Sequence, residues 1–204
     1  MDNLCYYNSN KQRRDGMETV TTQLKQRVIT NRLPRLGGAQ RAFARWALAD
    51  DCQSLLEVNL QNDGLLTYYG LKHKMRLCGL CARYDDLSET HSQNNGTEIM
   101  FYTNGDIPWP DNTFHTVLLH PRHDVVLKKT ARELTRVIKP EGELLIALPW
   151  LPIKTLKGET ISLFQFKNNR ALVHLLRNLG FQDVSIRMGS IGWGILLARK
   201  LIKR

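Results

Sequence analysis

Apolar positions along the chain fall into alternating helix-spaced and strand-like runs, and this pattern begins only after Met17. Residues 1–18 are polar and read as a disordered leader, with Met17 as an alternative start. Between Thr21 and Leu33, Leu24, Val28 and Ile29 recur at helical spacing, and Pro34 ends that element. After Gly38 a second helix is expected. Ala39, Ala42, Phe43, Trp46 and Ala47 form its apolar stripe, while Arg41 and Arg45 face outward. Residues 19–50 are therefore expected to form a helical lid on a domain spanning residues 51–204.

Within that domain, residues 54–60, 75–80, 98–102, 114–119 and 144–148 are short apolar runs bounded by turn residues, as buried strands are. Residues 65–71, 127–137 and 168–179 carry helical spacing, the last with Gly180 where a C-cap glycine belongs. Lys139-Pro-Glu-Gly142 reads as a turn. Val184, Ile186 and Met188 alternate, as do Ile195 and Leu197, with a glycine-containing link at 189–194 between them. Alternating strands and helices predict a parallel sheet, and the two last strands an antiparallel hairpin at its edge.

Length and composition fit this picture. A chain of 204 residues holds one full α/β core and not two. No apolar run approaches the roughly 20 residues of a membrane span, and the N-terminus lacks the apolar stretch of a secretory signal. The four cysteines read as reduced thiols, so a cytoplasmic location is expected. The net charge of +10 is uneven. Residues 1–50 carry nine Lys/Arg against four Asp/Glu, and after Asp183 come Arg187, Arg199, Lys200, Lys203 and Arg204 with no acid. Such ends suit an anionic partner, either nucleic acid or a charged surface, although no nucleic-acid motif accompanies them.

Three strings narrow the fold. Asp106-Ile-Pro-Trp-Pro-Asp-Asn-Thr-Phe-His-Thr-Val-Leu-Leu119 resembles the "D-L-P-F-P-D-x-S-F-D-x-V" stretch of class I S-adenosylmethionine-dependent methyltransferases. Ala131-Arg-Glu-Leu-Thr-Arg-Val-Ile-Lys-Pro-Glu-Gly-Glu-Leu-Leu-Ile146 resembles that family's "L-R-E-x-x-R-V-L-K-P-G-G-x-L-x-I", and Leu179-Gly-Phe-Gln-Asp-Val184 its "L-x-x-A-G-F-x-x-V". The resemblance covers residues 50–200. It implies a Rossmann-like, mainly parallel sheet of seven strands with an antiparallel C-terminal hairpin. The cofactor would lie across the carboxyl ends of the first strands.

The resemblance also assigns a site, and there this chain departs from the family. The family's first strand ends in an acid and a glycine-rich turn. Here Glu57 matches the acid, while Asn59, Gln61 and Asp63 stand at the glycine positions, with Gly64 alignable to the third by a one-residue insertion. Asn and Asp tolerate left-handed backbone, but three added side chains are expected to crowd the bound amino acid and ribose. The acid that grips the ribose is replaced by Cys81, and the acid near the adenine by Thr103, beside Asn104. The loss of two charged hydrogen bonds, each worth about 1.5–3 kcal/mol, predicts much weaker cofactor binding. After the fourth strand, Leu119-His-Pro-Arg-His-Asp124 is short for the family, and His120 and His123 are the acid/base candidates. Trp109 and Trp150 are candidates to line a substrate pocket. No metal site is expected. Cys78 and Cys81 are three apart in a strand and point to opposite faces, and His73 and His91 have no diagnostic spacing.

Three functions fit: a divergent methyltransferase of unread substrate, a catalytically inactive fold used as a binding or scaffold module, or a binder of anionic partners through the basic ends.

Overall fold

The computed structural model describes residues 35–46, 48, 51–60, 64–81, 96–101, 106–120, 127–150, 153–154, 160–161, 170–190 and 192–201. All belong to one compact unit, Pro34–Arg204. The expected leader and the helix at 21–33 lie outside the described residues.

In chain order the elements are α1 (Gly38–Ala44), β1 (Ser54–Val58), α2 (Leu65–Lys72), β2 (Arg76–Cys81), β3 (Glu98–Phe101), β4 (Phe114–Leu119), α3 (Leu127–Val137), β5 (Ile138–Pro149), β6 (Ile153–Lys154), β7 (Thr160–Ile161), α4 (Arg170–Asn178), β8 (Phe181–Ser190) and β9 (Trp193–Lys200). Seven strands form one sheet in the order β3-β2-β1-β4-β5-β9-β8. The first five pair in parallel, and β9 runs antiparallel between β5 and β8. The sheet is thus the Rossmann-like, mainly parallel one with an antiparallel C-terminal hairpin. A small β6–β7 ladder stands apart from it.

The apolar runs explain the layering. All five residues of β1 are buried because both faces of this central strand are covered. On one face Leu56, Val58, Val117 and Leu119 pack with Leu134 and Val137 of α3 and Leu176 of α4. On the other, Leu55 and Leu118 pack with Ala42 and Phe43 of α1 and with Leu65, Leu66 and Tyr69 of α2. The described part of the expected lid, α1, is therefore core: Ala42 and Phe43 are fully buried.

Two of the strings that resemble the methyltransferases hold each other in place. Arg136 donates to the carbonyls of Ile107 and Trp109 at 2.8 Å each, to Asp111 at 2.9 Å and to Glu133 at 2.7 Å. Glu133 in turn accepts from the Ile107 amide at 3.2 Å. One helix thereby fixes the Ile-Pro-Trp-Pro-Asp loop. Asn112, at φ 53°, turns the chain into β4, and its amide bonds to the Arg136 carbonyl at 2.9 Å.

The Lys139–Gly142 segment is not the expected turn between elements. It is an irregularity inside β5: Phe114 pairs with Ile138 and Thr116 already with Glu143, so β5 carries extra residues against His115. Gly142 is required there, because an added Cβ would lie 2.8 Å from the His115 carbonyl oxygen and 2.9 Å from that of Lys139. Glu141 sits at φ 64°, a left-handed conformation costing a side-chain-bearing residue about 1–2 kcal/mol. Glu141→Gly should accordingly raise stability by about 1 kcal/mol after the glycine's own entropy cost, read as a higher urea midpoint at unchanged slope.

Candidate functional site

The parallel register that places Val58 beside Leu119 also brings together the residues just beyond them. Glu57 and Leu118 share one face of the sheet with His120, since side chains alternate along a strand. At this point the structure unites three residues that the sequence treats separately. His120 Nε2 and Glu57 Oε1 are 2.7 Å apart. The Asn59 side-chain amide donates to the His120 carbonyl at 2.7 Å. Glu57 and Asn59 have no exposed surface, and His120 is 1% exposed.

Asn59 carries φ 59°. It adopts the left-handed geometry that a glycine would supply, and its side chain turns inward to tie β1 to β4. Gly64, at φ 72°, is the N-cap of α2, and no side chain caps that helix. Gln61 and Asp63, at the other two glycine positions, lie outside the described residues, as do Thr103, Asn104 and His123. Cys81 closes β2 and is buried.

The packing around the pair comes from α1 and α2. The Phe43 ring meets the His120 ring edge-on, with centroids 4.9 Å apart. Tyr69 donates its hydroxyl to the Phe43 carbonyl at 2.9 Å. Burial, with Glu57 close by, pushes the Tyr69 hydroxyl far above its usual range, so it stays protonated as a donor. Two buried atoms of the pair, Glu57 Oε2 and His120 Nδ1, have no hydrogen-bond partner among the described residues. Buried polar atoms are seldom left so.

Other candidates fall elsewhere. Cys78 and Cys81 pack into the two different core layers. Burial, with Glu98 beside it, pushes the Cys78 thiol up to about 12, which makes it a poor nucleophile at neutral pH. Among the described residues no cluster of three His, Cys, Asp or Glu could hold a metal. Trp109 is buried against Phe114, with ring centroids 5.3 Å apart, and is core. Trp150 is partly buried against the same layer. A cavity of about 710 Å³ opens at the opposite end of the parallel strands, between Asp111, Arg132, Pro140, Leu179 and Lys200. Of the basic C-terminal residues, Arg187 lies over the Trp46 ring, Arg199 pairs with Glu143 at 2.9 Å and Lys200 bonds to Asn112 at 3.0 Å. Lys203 and Arg204 lie outside the described residues. No described helix is long and apolar enough to cross a membrane.

The Glu57–His120 pairing escaped sequence reasoning because 63 positions separate the partners. The usable signal was topological: adjacency of the first and fourth strands, counted residue by residue from their ends.

No known family profile matches the chain, and no curated protein sequence does. Solved structures do. The cyclase SpnF superposes with a TM-score of 0.62 at 16% identity, covering 80% of each chain. A methyltransferase from Aquifex aeolicus, described as dependent on S-adenosylmethionine, gives 0.56 at 16% identity, covering 73% of this chain and 82% of that one. A phosphoethanolamine N-methyltransferase from Haemonchus contortus, solved with S-adenosylmethionine, gives 0.61 at 11% identity, covering 80% of this chain and 52% of that one. The protein therefore has the class I S-adenosylmethionine-dependent methyltransferase fold. One of these neighbours is by its name a cyclase, so the fold alone does not fix the reaction.

Proposed function

We infer that the chain is a divergent methyltransferase that takes S-adenosylmethionine at the carboxyl ends of β1, β2 and β4. The observation carrying this reading is the end of β1. Asn59 keeps the left-handed turn without placing its side chain in the crevice, and Glu57 keeps one carboxylate oxygen with no partner among the described residues. That oxygen fits an ammonium group. The donor's amino-acid end would be held by Glu57, by the turn at Asn59 and by the uncapped amides opening α2, whose dipole favours a carboxylate. When bound, the cofactor supplies an electrophilic methyl group. The residues of this chain hold and orient it, and burial around Phe43 and Tyr69 limits water at the floor.

The ribose end fits less well. Cys81 offers a buried thiol, a weak hydrogen-bond acceptor, in place of a carboxylate. This favours a second reading, in which the fold is kept as a non-catalytic binding module. Titration calorimetry with S-adenosylhomocysteine separates the two. Binding tighter than about 100 μM, on the order of −5.5 kcal/mol, is the expected result. No heat at millimolar ligand would leave the binding module as the better account.

A further inference from the structure

We propose that the cavity at the end of the sheet away from the crevice is a second ligand site, and that it takes a small amphipathic carboxylate. This goes beyond the methyltransferase reading and does not depend on it. The cavity measures about 710 Å³, within the range of roughly 300–1,000 Å³ that small-molecule pockets span. It opens where α3, α4 and β9 all come to an end, and each contributes to its wall.

The oxygens around it already have donors. At the C-terminal end of α3, Lys200 Nζ donates to the Thr135 carbonyl at 2.6 Å and to the Ile138 carbonyl. The Asn112 and Thr113 amides take the Arg136 and Val137 carbonyls at 2.9 and 2.8 Å. The Gly180 carbonyl accepts from the Leu201 amide at 3.0 Å. Asp111 is the single acid of the wall among the described residues, and it pairs with Arg136 at 2.9 Å. The negative end of the helix is thus neutralised from within the protein. A cationic guest would have to compete with Lys200 and Arg136 for these oxygens.

The walls offer carbon and positive charge instead. Arg132, Arg136 and Lys200 face a lone Asp111, so the lining is cationic. Lys200 has its third hydrogen on Asn112 Oδ1 at 3.0 Å, so its charge is held in place and its donors are filled. Arg132 differs: it is exposed, and no acid pairs with it among the described residues. Its planar fork matches one carboxylate through two parallel N–H···O bonds, whereas a phosphate dianion would call for further donors. The rest of the wall is apolar. Leu201 is 38% exposed, Leu179 is partly buried, and Pro140 has no N–H to offer. An acid head on Arg132 with a hydrocarbon chain across Leu179, Pro140 and Leu201 uses both properties at once. Charge complementarity selects the head, and the open leucine selects the chain.

The test is a titration of the full chain with decanoate at neutral pH, followed by amide ¹⁵N–¹H shifts. Thr135, Gly180 and Leu201 should shift and saturate with a Kd near or below about 1 mM. Acetate, the head without the chain, should leave them in place at the same concentration. Arg132→Gln should weaken binding at least about tenfold, the loss expected for a charged hydrogen bond. Leu201→Ser should weaken it about threefold by shortening the apolar wall. Both positions are exposed, so the variants keep the fold. Arg187→Gln removes the same charge from β8 away from the cavity and should change nothing. Equal weakening by Arg132→Gln and Arg187→Gln would overturn the proposal, since it would reveal unspecific attraction to a basic protein. Shifts centred on Asn59 and His120, shifts that never saturate, or acetate binding as well as decanoate would overturn it too.

Discussion

Glu57→Ala is expected to cost about 3–5 kcal/mol of folding stability. The substitution removes an acid with no exposed surface and leaves His120, 1% exposed, without the partner that held its Nε2–H. The cost is mainly that of the stranded imidazole, not the lost attraction. For a domain with roughly 5–15 kcal/mol in total, such a loss puts it near the edge of folding. Replacing both partners by leucine should recover most of the loss, since no polar atom is then stranded. Urea unfolding of the two variants against the wild type decides the matter. A Glu57→Ala protein within about 1 kcal/mol of the parent would mean that water reaches the pair.

Phe43→Ala should be nearly as severe, at about 3–5 kcal/mol, the usual range for removing a fully buried ring. Phe43 joins α1 to the sheet face of Leu118 and Leu145 and to Tyr69 of α2. The Tyr69 hydroxyl bonds to the backbone carbonyl of Phe43, so that bond can survive the truncation, and the loss would come from packing alone. Because the ring touches His120, the effects of Phe43→Ala and Glu57→Ala should not add. A coupling of about 0.5–3 kcal/mol is expected in the double-mutant cycle. Additive losses would show that the two sites do not communicate.

How much of this was legible in the sequence depended on how local each feature is. The loop at 106–112 and its anchor in α3 were readable because both are contiguous strings whose residue types have fixed tasks. Arg136 carries five N–H donors, and the Ile107 and Trp109 carbonyls with the Glu133 and Asp111 carboxylates receive them. The terminal hairpin was readable from alternation and a glycine-containing link. The Lys139–Gly142 segment was misread because Pro and Gly have the same signature in a turn and in a bulge, and only pairing with β4 separates them. The site was the least legible part. Glu57 and His120 meet through the parallel pairing of β1 and β4, which no local pattern records. That the Asn59 side chain turns to the His120 carbonyl was not legible either, because sequence gives a side chain's size and not its direction.

The stitching of β1 to both β2 and β4 also bears on how the protein can respond to whatever it binds. The amides of Leu60 and His120 reach across to the Leu80 and Val58 carbonyls, and Asn59 adds a side-chain tie at the same level. The bottom of the crevice is therefore stiff, with little slack to mould itself around a guest. Adaptation must come from its rim, so selectivity would be altered by grafting new connecting segments above an unchanged base.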